Sequence, residues 1–136
     1  SALIEKPNFI ADLTGFENLK LLASIQKKIN DSDINKILDE VHLNEDRNKK
    51  YHKYSLGTKQ KLGIAQAIME DPEVIVLDEP FNGVENETAE QIRTLLLKLK
   101  KKGKLIIIAS HIKEDIAILA DEVYEFDAGM VTKMKK

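Results

Sequence analysis

Tyr54–Asn86 reads YSLGTKQKLGIAQAIMEDPEVIVLDEPFNGVEN. Its centre, Val74-Ile75-Val76-Leu77, is a continuous apolar run, which reads as a strand buried on both faces, as in parallel sheets. Asp78-Glu79-Pro80 follows at once, then Asn82-Gly83. Carboxylates at the C-terminal tip of such a strand lie where open α/β sheets bind ligands. One can hold Mg²⁺, largely through water, and the next can orient or deprotonate an attacking water. The plainer reading is a turn built from Asp, Pro, Asn and Gly.

Two further features bear on that choice. Ser55 and Gly57 stand just ahead of a helix-patterned stretch, so N–H groups, a hydroxyl and the positive helix end converge on one point, an anion site. An ordinary Ser N-cap with a nearby glycine would look the same. His111 directly follows a second apolar run, Leu105–Ala109, and so belongs to the same sheet edge as Asp78 and Glu79. Alone it would pass for an exposed loop histidine. Three such signals in this order point to a magnesium-nucleotide site.

Working outward, Thr14 and Glu17 have capping-box spacing, and the helix they begin places Leu19, Leu22, Ala23 and Ile29 on one face. A second helix from about Asp31 carries Ile34, Ile37, Leu38 and Val41 at helical spacing, and Asn44–Lys53 reads as a solvated connection. The helix after Ser55 turns Leu62, Ala65 and Met69 inward and stops at Asp71-Pro72. Beyond it the pattern alternates. Glu87–Lys101 is a helix with Ala89, Ile92, Leu95, Leu96 and Leu99 inward, closed by Gly103, and a short helix spans Glu114–Ala120. Asp127-Ala128-Gly129 joins the strands Glu122–Phe126 and Met130–Lys135 as a hairpin. The expectation is an α/β protein in three parts: an exit segment (1–12), a helical subdomain (13–70) and part of an α/β core (71–136).

Composition narrows the function. The 136 residues, 43% hydrophobic, suffice for a core, and 21 basic against 23 acidic side chains give a net charge of -2. No dominant attraction to nucleic acid or anionic membrane follows from that balance. Lys98, Lys100, Lys101 and Lys102 suit the negative end of a helix. Zero cysteines fit a reducing compartment. No apolar run approaches the roughly 20 residues of a membrane span, so a cytoplasmic protein is expected.

Here a resemblance enters. YSLGTKQKLGIAQAIM resembles the signature segment of ATP-binding cassette (ABC) ATPases, VIVLDEP their Walker B strand, FNGVEN the D-loop and ASHIKED the H-loop. SALIEKPNF and LTGFENLKLL are similar to ATP-binding subunits of bacitracin- and lantibiotic-type exporters. The resemblance implies a P-loop NTPase fold, ATP and Mg²⁺ as cofactors, and ATP hydrolysis at a head-to-tail dimer. It also implies membrane-spanning permease subunits as partners and a location at the inner face of the membrane. It makes Glu79 the catalytic base, His111 the γ-phosphate switch and Asp78 a Mg²⁺ ligand. Glu5 falls at the Q-loop position near the metal. Ser55 and Gly57 would contact ATP held by the opposite subunit, and Gln60, Asn82, Gly83 and Glu85 belong to the same nucleotide-binding set. Leu56 and Thr58 replace a glycine and a glutamine of the common signature. Glu85 replaces the D-loop aspartate and Glu5 the Q-loop glutamine.

No stretch reads G-x-x-x-x-G-K-[ST], the phosphate-cradling loop. The family places that loop upstream of the Q-loop, so the chain is expected to be the C-terminal part of a longer polypeptide, inactive by itself. In the family's sheet the missing strand lies between Leu105–Ala109 and Glu122–Phe126, so Leu105–Ala109 is expected to be exposed on one edge, paired with a second copy, or covered by a rearranged segment. A non-transport ABC-type ATPase and a non-catalytic interaction module are the alternatives.

Overall fold

The computed structural model describes residues 2, 3, 8–25 and 29–135. Strand β1 (Ala2–Leu3) leads to helices α1 (Gly15–Ala23) and α2 (Asp31–Glu40), a 3₁₀ turn at Tyr51–Lys53, and α3 (Leu56–Ile68). There follow β2 (Val74–Asp78), α4 (Asn86–Lys101), β3 (Leu105–Ala109), α5 (Lys113–Leu119) and a hairpin of β4 (Val123–Asp127) and β5 (Met130–Met134). The first three strands form a parallel sheet in the order β1-β2-β3, and the hairpin stands as a separate two-stranded sheet.

The first two helices start on the same side-chain device. The Thr14 hydroxyl accepts the Glu17 N–H at 3.1 Å while the Glu17 carboxylate accepts the Thr14 N–H at 3.2 Å, completing the expected capping box. Asn30 and Asp33 repeat the device at α2, at 2.9 and 3.0 Å. Two helices end on the same motif with different residues. At the end of α4, Gly103 takes φ 88° and Lys104 N–H donates to Leu99 C=O. At the end of α2, His42 takes φ 58° and Leu43 N–H donates to Leu38 C=O, with both leucines buried. A histidine there bears a steric cost that glycine does not.

The core is continuous. Leu19, Ile34 and Leu38 of the first helices, with Leu43 just past α2, meet Leu62 and Ala65 of α3, Ile75 and Leu77 of β2, and Ile92, Leu95, Leu96 and Leu99 of α4. Ile29 lies beyond the end of α1 yet packs on this core, and buried Leu43 immediately precedes the solvated connection Asn44–Lys53. The expectation of strands buried on both faces needs correction. Ile75 and Leu77 are buried but Val74 and Val76 are only half-covered, and in β3 Leu105 and Ile107 are exposed. The reason is position: β3 is the sheet edge, and a single layer of helices covers one face. The open edge anticipated at Leu105–Ala109 is therefore present.

Four lysines in the last turn of α4 and just beyond it face carboxylates. Lys98 and Lys102 lie 3.7 and 3.8 Å from Glu40, Lys100 lies 2.9 Å from Asp121, and Lys104 lies 2.5 Å from Asp71. Lys98, Lys100 and Lys102 of the cluster thus have carboxylates beside them, which agrees with a solvated helix end. Among the described residues, no helix is long and apolar enough to cross a membrane.

Candidate functional site

Parallel pairing of β2 with β3 sets Asp78 opposite Ala109. The next residue on each strand then leaves the sheet at the same edge. Glu79 turns sharply there, with φ 47°, a left-handed conformation that costs a non-glycine residue free energy and is concentrated at functional sites. The turn is held by Glu79 N–H donating to Ala109 C=O at 2.8 Å. On the other strand Ser110 Oγ accepts the Ile112 N–H at 3.1 Å and brackets His111.

The two side chains meet. His111 Nδ1 lies 2.9 Å from Glu79 Oε1, with the histidine side chain 68% exposed and the glutamate 35%. The other carboxylate oxygen, Glu79 Oε2, is buried and has no hydrogen-bond partner. A shielded oxygen without a donor is unfavourable unless something supplies a proton or an N–H. It is therefore suited to accept from a water or a bound hydroxyl. Asp78, one residue earlier, is exposed.

Gln60, one turn into α3, donates from Nε2 to Glu79 C=O at a long 3.5 Å. Asn82 N–H donates to the same carbonyl at 3.3 Å. Gly83 has φ 70°, and a Cβ there would lie 2.8 Å from Leu56 Cδ2, so the Asn82-Gly83 turn presses on the start of α3. Only glycine suits both demands. Glu85 is the N-cap of α4 by backbone alone, since its side chain makes no capping bond.

At the start of α3, Ser55 Oγ accepts the Thr58 N–H at 3.1 Å and lies 2.8 Å from Thr58 Oγ1. Gly57, expected in a turn ahead of the helix, is inside its first turn, because the Ser55 cap starts the helix one residue later. A Cβ on Gly57 would lie 2.9 Å from Thr88 Cγ2, so its smallness lets α3 approach α4. Glu5 lies outside the described residues. Thus the structure joins Glu79, His111, Gln60 and Asn82 directly, with Gly83 linking them to Leu56 and the α3 start.

Sequence reasoning missed two supports. Arg93 Nη1 of α4 lies 2.7 Å from Asp115 Oδ1 of α5, tying together the helices that leave Glu79 and His111. Tyr54, just before Ser55, is buried and donates to Asp46 C=O at 2.6 Å. Nothing in local periodicity marks either contact. The tyrosine beside Ser55 was the available signal.

Mg²⁺ and a nucleotide fit what is present. Among the described residues, no three His, Cys, Asp or Glu side chains converge as a metal cage. Mg²⁺ characteristically takes one or two carboxylates and completes its shell with water and phosphate oxygens, so exposed Asp78 beside Glu79 suffices in type. The unpartnered Glu79 Oε2 is the observation that favours an occupant.

This arrangement is that of the ATP-binding cassettes. The fold matches the dimeric post-hydrolysis state of the ATP-binding cassette MJ0796 bound to ADP and Pi, with a TM-score of 0.83 and 23% identity, covering 98% of this chain and 62% of that one. The ABC transporter family model matches residues 1–82, and the chain belongs to that family. Bacitracin transport ATP-binding protein BcrA of Enterococcus faecalis is 42% identical over 123 residues, covering 90% of this chain and 40% of that protein. Lantibiotic transport ATP-binding protein SrtF of Streptococcus pyogenes is 32% identical over 120 residues, covering 88% and 52%. The chain thus spans 40% and 52% of these relatives' lengths.

Proposed function

We propose that the chain supplies the signature, Walker B and H-loop residues of a subunit that binds and hydrolyses ATP to drive export across a membrane. The whole subunit would work as a head-to-tail dimer beside membrane-spanning permease subunits, at the cytoplasmic face of the membrane. Similarity to transport ATP-binding proteins for bacitracin and lantibiotics supports export of such peptides. The near-neutral charge and the paired lysines give no support to a nucleic-acid partner.

Bound Mg-ATP supplies the phosphoanhydride and the cation, and this chain's residues act around it. Asp78 would hold the metal. Glu79 would take the proton of the attacking water at Oε2, while its Oε1 is held against His111. His111, at the rim and well exposed, would contact the terminal phosphate. Ser55 and Gly57, with the free N–H groups opening α3, would face ATP on the partner subunit, and Gln60, Asn82, Gly83 and Glu85 would shape that contact. The helical part, 13–70, would carry this second face and the sheet part, 71–136, the first.

One observation carries the reading: a glutamate at a parallel-sheet edge, strained in backbone, paired through one oxygen and sealed without a partner at the other. Phosphate release by the full-length subunit tests it. Glu79→Gln should lower turnover by about 10²–10⁴-fold, the scale of a lost acid–base group, and His111→Ala by about 10²–10³-fold, the scale of a lost donor to developing transition-state charge. Turnover at the wild-type rate in Glu79→Gln would overturn it.

A further inference from the structure

We propose that Tyr54, locked between Gly15 and the Asp46 carbonyl, is a positioning residue that sets the orientation of the Ser55 turn for its nucleotide contact. The inference rests on the reading of Ser55 as a nucleotide-facing residue, and extends it to three residues that touch no nucleotide.

The lock is specific. Tyr54 is 7% exposed, and its hydroxyl donates to Asp46 C=O at 2.6 Å. Its ring lies 5.8 Å from that of Tyr51, which in turn lies 5.2 Å from Phe9. Tyr51 N–H donates to Leu13 C=O at 2.8 Å and His52 N–H to Ala11 C=O at 3.1 Å, fastening this segment to the chain entering α1. The opposite wall is Gly15. A Cβ on Gly15 would overlap the Tyr54 hydroxyl and approach Cζ to 3.2 Å.

Glycine at that position has no conformational reason. It is the first residue of α1 and lies outside the left-handed region, where alanine is the better helix former. The space it leaves is filled by the tyrosine hydroxyl. Tyr54 is followed immediately by Ser55, whose Oγ accepts the Thr58 N–H and fixes the first turn of α3. Wherever Tyr54 is pinned, the direction of the free N–H groups of that turn follows.

The test uses the full-length subunit as wild type, Gly15→Ala, Tyr54→Phe and the double variant. Two readouts are taken: amide hydrogen exchange at Thr58 and Lys59, and kcat beside ATP affinity. Tyr54→Phe should speed exchange and lower kcat by about fivefold, the scale of one net hydrogen bond, with ATP affinity of the monomer unchanged. Gly15→Ala should do more harm than Tyr54→Phe. Adding Tyr54→Phe to Gly15→Ala should restore the milder level, since the overlapping atom is gone. Where Gly15→Ala yields no folded protein, Tyr54→Phe alone decides, by exchange at Thr58 and Lys59 read beside kcat.

Three results would overturn the proposal: unchanged exchange in both single variants, a double variant no better than Gly15→Ala, or altered exchange with unaltered kcat. A wild-type subunit without turnover would instead remove the nucleotide reading. The lock would then be judged by the exchange pattern of the four proteins alone.

Discussion

His111 Nδ1 and Glu79 Oε1 stand 2.9 Å apart although 32 residues separate them in sequence. Their meeting depends on β2–β3 register, which pairs Asp78 with Ala109, and on the Glu79 backbone turn closed by Ala109 C=O. A slip of one residue would turn these side chains to the other face. The contact is thus a product of the sheet, held from behind by the helices.

Behind the contact, Asp115 is 5% exposed and bonded to Arg93 at 2.7 Å. Removing one member of a buried pair leaves the other charge without compensation, at a typical cost of about 3–5 kcal/mol. Arg93 retains some solvent contact, so Asp115→Ala is expected near the lower end of that range. Denaturant unfolding should show a lower midpoint at unchanged slope.

Gly57→Asp places a carboxylate where a phosphate is expected and a side chain against Thr88. Both effects would abolish ATP-driven dimerisation, but only the second is steric. Thr88→Ala added to Gly57→Asp should recover stability without recovering the dimer. Sizing chromatography with Mg-free ATP, beside a thermal melt, separates the two. A dimer in the double variant would refute the trans contact.

The Tyr54 hydroxyl is pushed up to about 12, by burial first and by the Asp46 charge second. Its folded pKa exceeds the unfolded value near 10, so its contribution is complete below pH 10 and is lost as pH rises through 12. Two units correspond to about 2–3 kcal/mol. Wild type should therefore lose stability across that window more steeply than Tyr54→Phe, as measured by melts at stepped alkaline pH.

His42, at φ 58°, occupies the position that Gly103 fills at the end of α4. His42→Gly keeps the Leu43–Leu38 bond and relieves the left-handed strain. A gain of about 0.5–1 kcal/mol is expected in chemical denaturation, less than the full strain because glycine also loosens the unfolded chain.

Local chemistry was legible. The Thr14–Glu17 box, the inward faces of α2 and α4, the stop at Gly103 and the Ala128-Gly129 hairpin turn all stand where spacing places them. In the hairpin both turn residues take positive φ, 47° and 78°, matching the twist of its strands. Burial was less legible. Ile107 is as apolar as Ile75, yet one is exposed at the edge and the other buried in the centre, because neighbours in space decide burial. For the candidate site, Asp78, Glu79 and His111 could be placed at one edge from strand order alone. The Glu79 turn, the Gln60 contact and the Tyr54–Gly15 fit arise from long-range packing that a single sequence does not display.

The most direct measurement is the oligomeric state and phosphate release of the full-length Glu79→Gln subunit at saturating Mg-ATP. The glutamine keeps the shape of the side chain and removes the base. An ATP-loaded dimer that accumulates while turnover falls by about 10²–10⁴-fold is the expected result. A monomer with wild-type phosphate release would contradict the account.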